Sequence, residues 1–116
     1  METLMEVKLR NVGDIIVFDF TGELDETNAD KTFTGIYESI GEFTDKKILF
    51  NMSGLKYLNS KSIGYIADVF SNLEESNGKM HISNCDEGVK DVLELVGITT
   101  IIPTVDSEEE AINAMK

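Results

Sequence analysis

The run Phe50-Asn51-Met52-Ser53-Gly54-Leu55-Lys56-Tyr57-Leu58-Asn59-Ser60-Lys61-Ser62-Ile63-Gly64-Tyr65-Ile66 decides how the rest of the chain reads. Its first residues close a buried strand, Lys47 to Asn51. A short loop then crosses to a helix that opens on a cluster of hydroxyls. Helix starts carry unpaired backbone N–H groups and partial positive charge, so Ser60 and Ser62 sit where a phosphate is readily held. The segment has the shape of a site that is modified or read, rather than one that turns over substrate.

Upstream, Leu4 to Arg10 alternates as a half-buried strand, with Met5, Val7 and Leu9 opposite Leu4, Glu6, Lys8 and Arg10. Asn11-Val12-Gly13-Asp14 is a turn, and Ile15 to Thr21 is a second, more buried strand, so the chain opens with a β-hairpin. Gly22-Glu23-Leu24-Asp25 leaves the sheet. A helix from about Asn28 to Glu42 follows, with Phe33, Ile36, Tyr37 and Ile40 on one face.

Downstream, the second helix runs from about Lys61 to Ser76, with Ile63, Ile66, Ala67, Phe70 and Leu73 as its inner stripe and Asn77-Gly78 as its stop. Lys79 to Asn84 is a strand. Asp86 caps a third helix whose inner face is Val89, Val92, Leu93 and Val96, ended by Gly97. Thr99 to Ile102 is a last strand halted by Pro103, and Ser107 starts a final helix through Met115, with Glu110 at capping-box spacing. The order β-β-α-β-α-β-α-β-α predicts a single α/β domain over residues 1–116, with a mixed, mostly parallel sheet of about five strands and about four helices.

Composition agrees. Hydrophobic residues make up 41% of the 116 and charged residues 28%, with a single proline, as in a compact chain with a continuous core. No apolar run approaches the roughly 18 residues that a membrane helix needs, and Met1-Glu2-Thr3-Leu4-Met5-Glu6 lacks a signal peptide's basic start. The lone Cys85 makes no internal disulfide, which predicts a cytoplasmic setting. The formal charge of −12 disfavours nucleic acid and anionic lipid as partners and is compatible either with plain solubility or with steering toward a basic protein.

Three segments together resemble the STAS domain family. Phe20-Thr21-Gly22-Glu23-Leu24-Asp25 is similar to the family's G-x-L-D signature after the second strand. Asn51-Met52-Ser53-Gly54-Leu55-Lys56-Tyr57-Leu58-Asn59-Ser60-Lys61-Ser62-Ile63-Gly64 is similar to its D-L-S-x-V-x-F-M-D-S-S-G-L-G signature. Asn84 to Ile98 resembles its third helix and the glycine turn that follows. In size the chain is like the bacterial anti-sigma factor antagonists of that family. The resemblance implies a non-enzymatic regulator without a cofactor of its own. Its implied partner is an anti-sigma factor with serine kinase activity, whose capture releases a sigma factor. Phosphorylation at the start of the second helix would break that complex, and a separate phosphatase would reset it. The alternative is a non-phosphorylated STAS scaffold, or a ligand-sensing component of a larger regulatory complex.

In direct register, Asn59 stands for the signature's Asp, Ser60 for its first Ser, Lys61 for the phosphorylated Ser or Thr, and Ser62 for the Gly after it. The phosphorylation candidates are therefore the flanking Ser60 and Ser62. The implied partner-binding residues are Asp25, Asn59, Ser60, Lys61, Ser62, Ile63 and Gly64. Several have a plainer reading: Ser60 as an N-cap, Lys61 as a solvated first-turn residue, Asp25 as a turn or helix cap, and Gly64, like Gly22, as a point of close backbone approach.

Other chemistries find no support. His81 stands alone without a second His or Cys at ligand spacing, and Cys85 lacks a nearby His base. A response-regulator receiver would need an aspartate phosphoacceptor where the central strand ends, and that position is Asn51. No phosphate-cradling glycine loop and no Ser-His-acid arrangement can be assembled.

Overall fold

The computed structural model describes residues 4–116; Met1, Glu2 and Thr3, read above as part of a start without basic residues, lie outside the described residues. Five strands form one sheet in the order β1-β2-β3-β4-β5. They are β1 (Met5–Val12), β2 (Ile15–Leu24), β3 (Lys47–Leu58), β4 (Lys79–Ser83) and β5 (Thr104–Val105). β1 and β2 are antiparallel, joined by Gly13-Asp14, and every other neighbouring pair is parallel. The helices are α1 (Ala29–Ile40), α2 (Ser60–Glu75), α3 (Glu87–Leu95), the single turn α4 (Ile98–Ile101) and α5 (Glu108–Met115). The mixed sheet with helices on both faces is the α/β arrangement that the alternation of elements required.

Strand alternation sorts the core into two parts. Phe18, Phe20, Ile48, Phe50, Met52, Met80 and Ile82 point to the face covered by α1, α2, α3 and α4. There Phe50 meets Phe18 edge-on at 5.8 Å and Phe20 at 5.0 Å, and Phe33 of α1 closes the group. On the opposite face Ile15, Val17 and Leu49 pack against Ala111 and Met115 of α5 alone.

Five local expectations change. The chain does not leave the sheet at Gly22, since β2 runs on to Leu24. β3 does not stop at Asn51 but continues to Leu58, with Leu55 and Leu58 buried against β2. The continuation pairs Thr21 with Gly54, Gly22 with Leu55 and Leu24 with Leu58, across two register shifts. It fits because two positions lack side chains. A Cβ at Gly54 would lie 2.7 Å from the Phe20 carbonyl oxygen, and one at Gly22, whose φ is +113°, would lie 2.1 Å from that of Leu4.

The segment Thr99 to Ile102 is not a strand. Gly97, at φ 84°, turns the chain into the α4 turn, where Ile98 and Ile102 bury themselves four residues apart, and the short strand β5 follows Pro103 instead. A four-residue β-branched run fits either period, and the left-handed glycine decides for the turn. That turn brings the helix count to five. In α2 the fully buried line is Ser62, Ile66, Val69 and Leu73, with Ile63, Ala67 and Phe70 only half-buried beside it. In α3 the buried pair is Val89 and Leu93, while Val96 lies beyond the helix and exposed.

Candidate functional site

The start of α2 stands at the end of the lengthened β3, beside the β2–α1 connection. Its cap is Asn59, not Ser60. The Asn59 side-chain oxygen accepts from the Ser62 backbone N–H at 3.0 Å and from the Ser62 hydroxyl at 2.7 Å, while its carbonyl accepts from Ile63 N–H at 3.1 Å. Asn wins the cap because its backbone is extended at φ −101°, ψ 175°, placing its amide oxygen over the first turn.

That clasp separates the two candidate hydroxyls. Ser62 is 0% exposed and donates inward to Asn59, so it forms part of the core side of α2. Ser60, first residue of the helix, is exposed to solvent at the positive end of the helix dipole. Ile63 is half-buried against the core. Gly64 is exposed, and a Cβ there would have nothing within 4 Å, so the close backbone approach expected at Gly64 is absent.

Lys61 reaches across to α1. Its ammonium lies 2.9 Å from one carboxylate oxygen of Asp30, whose other oxygen accepts from the Tyr65 hydroxyl. Lys61 and Tyr65 stand four apart on one face of α2, so both converge on the same acid. The Tyr65 hydroxyl and then the Lys61 ammonium hold the Asp30 carboxyl below its ordinary range. In return, Asp30 raises both Lys61 and Tyr65. Tyr65 also stacks on Phe33, centroids 4.9 Å apart, tying this surface cluster to the core. Further along, the Tyr37 hydroxyl donates to Asp68 and bridges the same two helices.

The β2–α1 loop supplies the remaining wall. Asp25 accepts through its carboxylate from Thr27 N–H at 2.9 Å and from the Thr27 hydroxyl at 2.7 Å, and its carbonyl accepts from Ala29 N–H at 3.0 Å. The turn-capping reading of Asp25 therefore describes its local bonding. Asn28 fixes the loop by accepting from Asp25 N–H and donating to the Glu23 carbonyl. Glu26 accepts from the Asn59 amide at 3.4 Å. Sequence reading missed Glu26, Asp30 and Tyr65; the one available signal was the shared helical face of Lys61 and Tyr65.

Elsewhere the chemistry is quiet. Burial pushes the Cys85 thiol up to about 11 and holds His81 below its ordinary value. Among the described residues, no group of three or more His, Cys, Asp or Glu side chains could hold a metal ion. No helix in those residues is long and apolar enough to cross a membrane.

The model of the STAS domain family matches residues 6–111. This chain belongs to the STAS domain family. Among curated relatives it is 20% identical over 112 residues to an anti-sigma F factor antagonist of Paenibacillus polymyxa, covering 97% of this chain and 96% of that protein. The fold matches the crystal structure of an anti-sigma factor antagonist from Mycobacterium paratuberculosis with a TM-score of 0.87 at 15% identity, over 97% of this chain and 94% of the other. It also matches the phosphorylated form of the Bacillus cell fate determinant SpoIIAA, TM-score 0.72 at 22% identity, over 96% of this chain and all, 100%, of the other. These likenesses establish the STAS fold, and the site described above lies within the matched span.

Proposed function

We propose that this chain is an anti-sigma factor antagonist, a cytoplasmic binding protein without catalysis of its own. It captures an anti-sigma factor through the α2 start and the acidic β2–α1 loop, and so releases a sigma factor. The single observation that carries this reading is the clasped helix start. Asn59 holds Ser62 inward and leaves Ser60 and Gly64 exposed, while Glu26 accepts from Asn59 and Asp30 from Lys61 at the same helix start. Similarity to antagonists over nearly the whole chain supports it.

Ser60 is the phosphoacceptor of this proposal, and Ser62 is set aside by its burial. A phosphoryl group adds close to two negative charges. On Ser60 it would lie at an amide-rich helix end, where the protein tolerates it, and would compete with Asp30 for Lys61. Its consequence would fall on the docked partner, through repulsion and lost contact. A second reading rests on Lys61, which occupies the register of the family's phosphoacceptor and is already paired with Asp30. In that reading the protein is a constitutive, non-phosphorylated binder.

One experiment separates the two. The chain is incubated with its cognate kinase-type anti-sigma factor, ATP and Mg²⁺, and the peptide spanning Leu58 to Ile66 is analysed by mass spectrometry. Phosphate on Ser60, abolished by Ser60→Ala and accompanied by release of the complex, is the expected result. A stable complex with no added phosphate selects the constitutive binder, and no complex at all overturns the antagonist reading.

A further inference from the structure

β1 is the outer strand of the sheet, and its free edge carries apolar side chains in the open. Leu4 is 84% exposed and Leu9 44%. With Met5 and Val7 they line a groove of about 450 Å³ between β1 and α1. An eight-residue edge strand with neither proline nor bulge is a template for another strand.

The register of the hairpin says which backbone groups are on offer. The two-residue loop makes Val12 and Ile15 a hydrogen-bonded pair, and such pairs alternate along an unbroken antiparallel ladder. The backbone groups of Glu6, Lys8, Arg10 and Val12 therefore face β2. Those of Met5, Val7, Leu9 and Asn11 face outward.

This edge complements its own reverse. Turned end for end about Val7, Glu6 stands opposite Lys8 of a second copy, Met5 opposite Leu9, and Val7 opposite Val7. Outward-facing Met5, Val7 and Leu9 then each meet an outward-facing residue. Centring on Lys8 would oppose two lysines, and centring on Glu6 two glutamates. Odd offsets would set outward groups against inward ones. Glu6 and Lys8 already lie on one face, 3.5 Å apart within the chain, so each lysine would stand between two carboxylates. We propose that two copies of this chain pair antiparallel through β1, centred on Val7, extending the sheet across the dimer and covering Met5, Val7 and Leu9. The proposal rests on β1 alone and stands or falls independently of the antagonist reading.

Sedimentation equilibrium of the full chain over a range of concentrations provides the test. A reversible dimer is expected. Glu6→Lys turns two attractive cross-strand pairs into two repulsive ones and should weaken association by at least about tenfold. Adding Lys8→Glu to it should restore the dimer. In a Cys85→Ser background, Val7→Cys should form an intermolecular disulfide on mild oxidation, because residue 7 lies on the two-fold axis. A monomer at every concentration leaves the edge to some other strand and overturns the proposal. So does a dimer indifferent to Glu6→Lys, or one that the charge swap fails to restore. Circular dichroism of each variant checks that loss of the dimer is not loss of the fold.

Discussion

Helices α2 and α5 begin with the same device and differ in what surrounds it. In each, a side-chain oxygen at the cap accepts from a backbone N–H three residues on: Asn59 from Ser62 at 3.0 Å, Ser107 from Glu110 at 3.2 Å. α5 then places three glutamates, Glu108 to Glu110, in its first turn, so its positive end is answered from within. α2 has no acid in its first turn and carries Lys61 there instead. Its balancing charges, Glu26 and Asp30, come from the neighbouring loop and helix. A start that supplies its own anions has little to gain from another. A start that borrows them can be rearranged by one new charge, and the switch proposed at Ser60 draws on this difference.

The largest separation between the two starts should come from removing the caps. Ser107→Ala deletes an ordinary N-cap and should cost about 1 kcal/mol. Asn59→Ala deletes a cap and also strands the buried Ser62 hydroxyl, which adds roughly 1–3 kcal/mol when the donor is left without an acceptor. Urea unfolding of the two variants measures the gap. Equal losses would reduce Asn59 to a cap like any other, and the comparison would lose its main support.

A smaller change probes the open surface of α2 directly. Gly64 lies inside the helix with no neighbour near its missing side chain, so Gly64→Ala should stabilise the free protein by about 0.5–1 kcal/mol. A partner that approaches the helix backbone here would meet the new methyl group. The expected result is a higher melting temperature together with weaker capture of the anti-sigma factor, read by calorimetric titration. Unchanged binding would remove Gly64 from the interface.

Much of this architecture was legible because it rests on strong periodic signals. The helical face of α1, the buried pair Val89 and Leu93 of α3, the caps Asp86 and Ser107 and the strand through Phe50 all follow from spacing and residue type. The failures share a cause. β3 beyond Asn51 is held by contacts that only glycine permits, at Gly22 and Gly54, and a close approach between distant backbones leaves no local pattern. At α4 a short β-branched run fits two structures, and the preceding left-handed Gly97 selects one. At the site, Ser60 and Ser62 look alike as letters. What distinguishes them is which hydroxyl Asn59 can reach, and that depends on the cap's backbone geometry. The ties from Lys61 and Tyr65 to Asp30 join two helices, so the partner residue could not be chosen from either helix alone.

Acid should act on both starts, with the smallest effects and at slightly different pH. At α5 the Arg10 guanidinium, followed by the Asn51 amide, holds the Glu108 carboxyl below its ordinary 4.5 against the opposing effect of burial. At α2 the Tyr65 hydroxyl and Lys61 hold Asp30 below its ordinary 3.8. A carboxyl depressed by folding binds its proton more readily in the unfolded chain, so its contribution is complete above the unfolded value and vanishes as pH falls through the folded one. The contribution of Glu108 should therefore begin to fade below pH 4.5 and that of Asp30 below pH 3.8. Thermal melts of wild type and Glu108→Gln should differ at neutral pH and converge in acid from about pH 4.5 downward. The Asp30→Asn curve should start its convergence lower. Asp30 is exposed and Glu108 only half-buried, so water screens both charges and each gap should be modest. Asp30→Asn carries a further consequence that Glu108→Gln lacks: it frees Lys61 beside Ser60. Altered phosphorylation or partner capture in that variant alone would tie the borrowed charge at α2 to function, while identical behaviour of the two would make both starts structural.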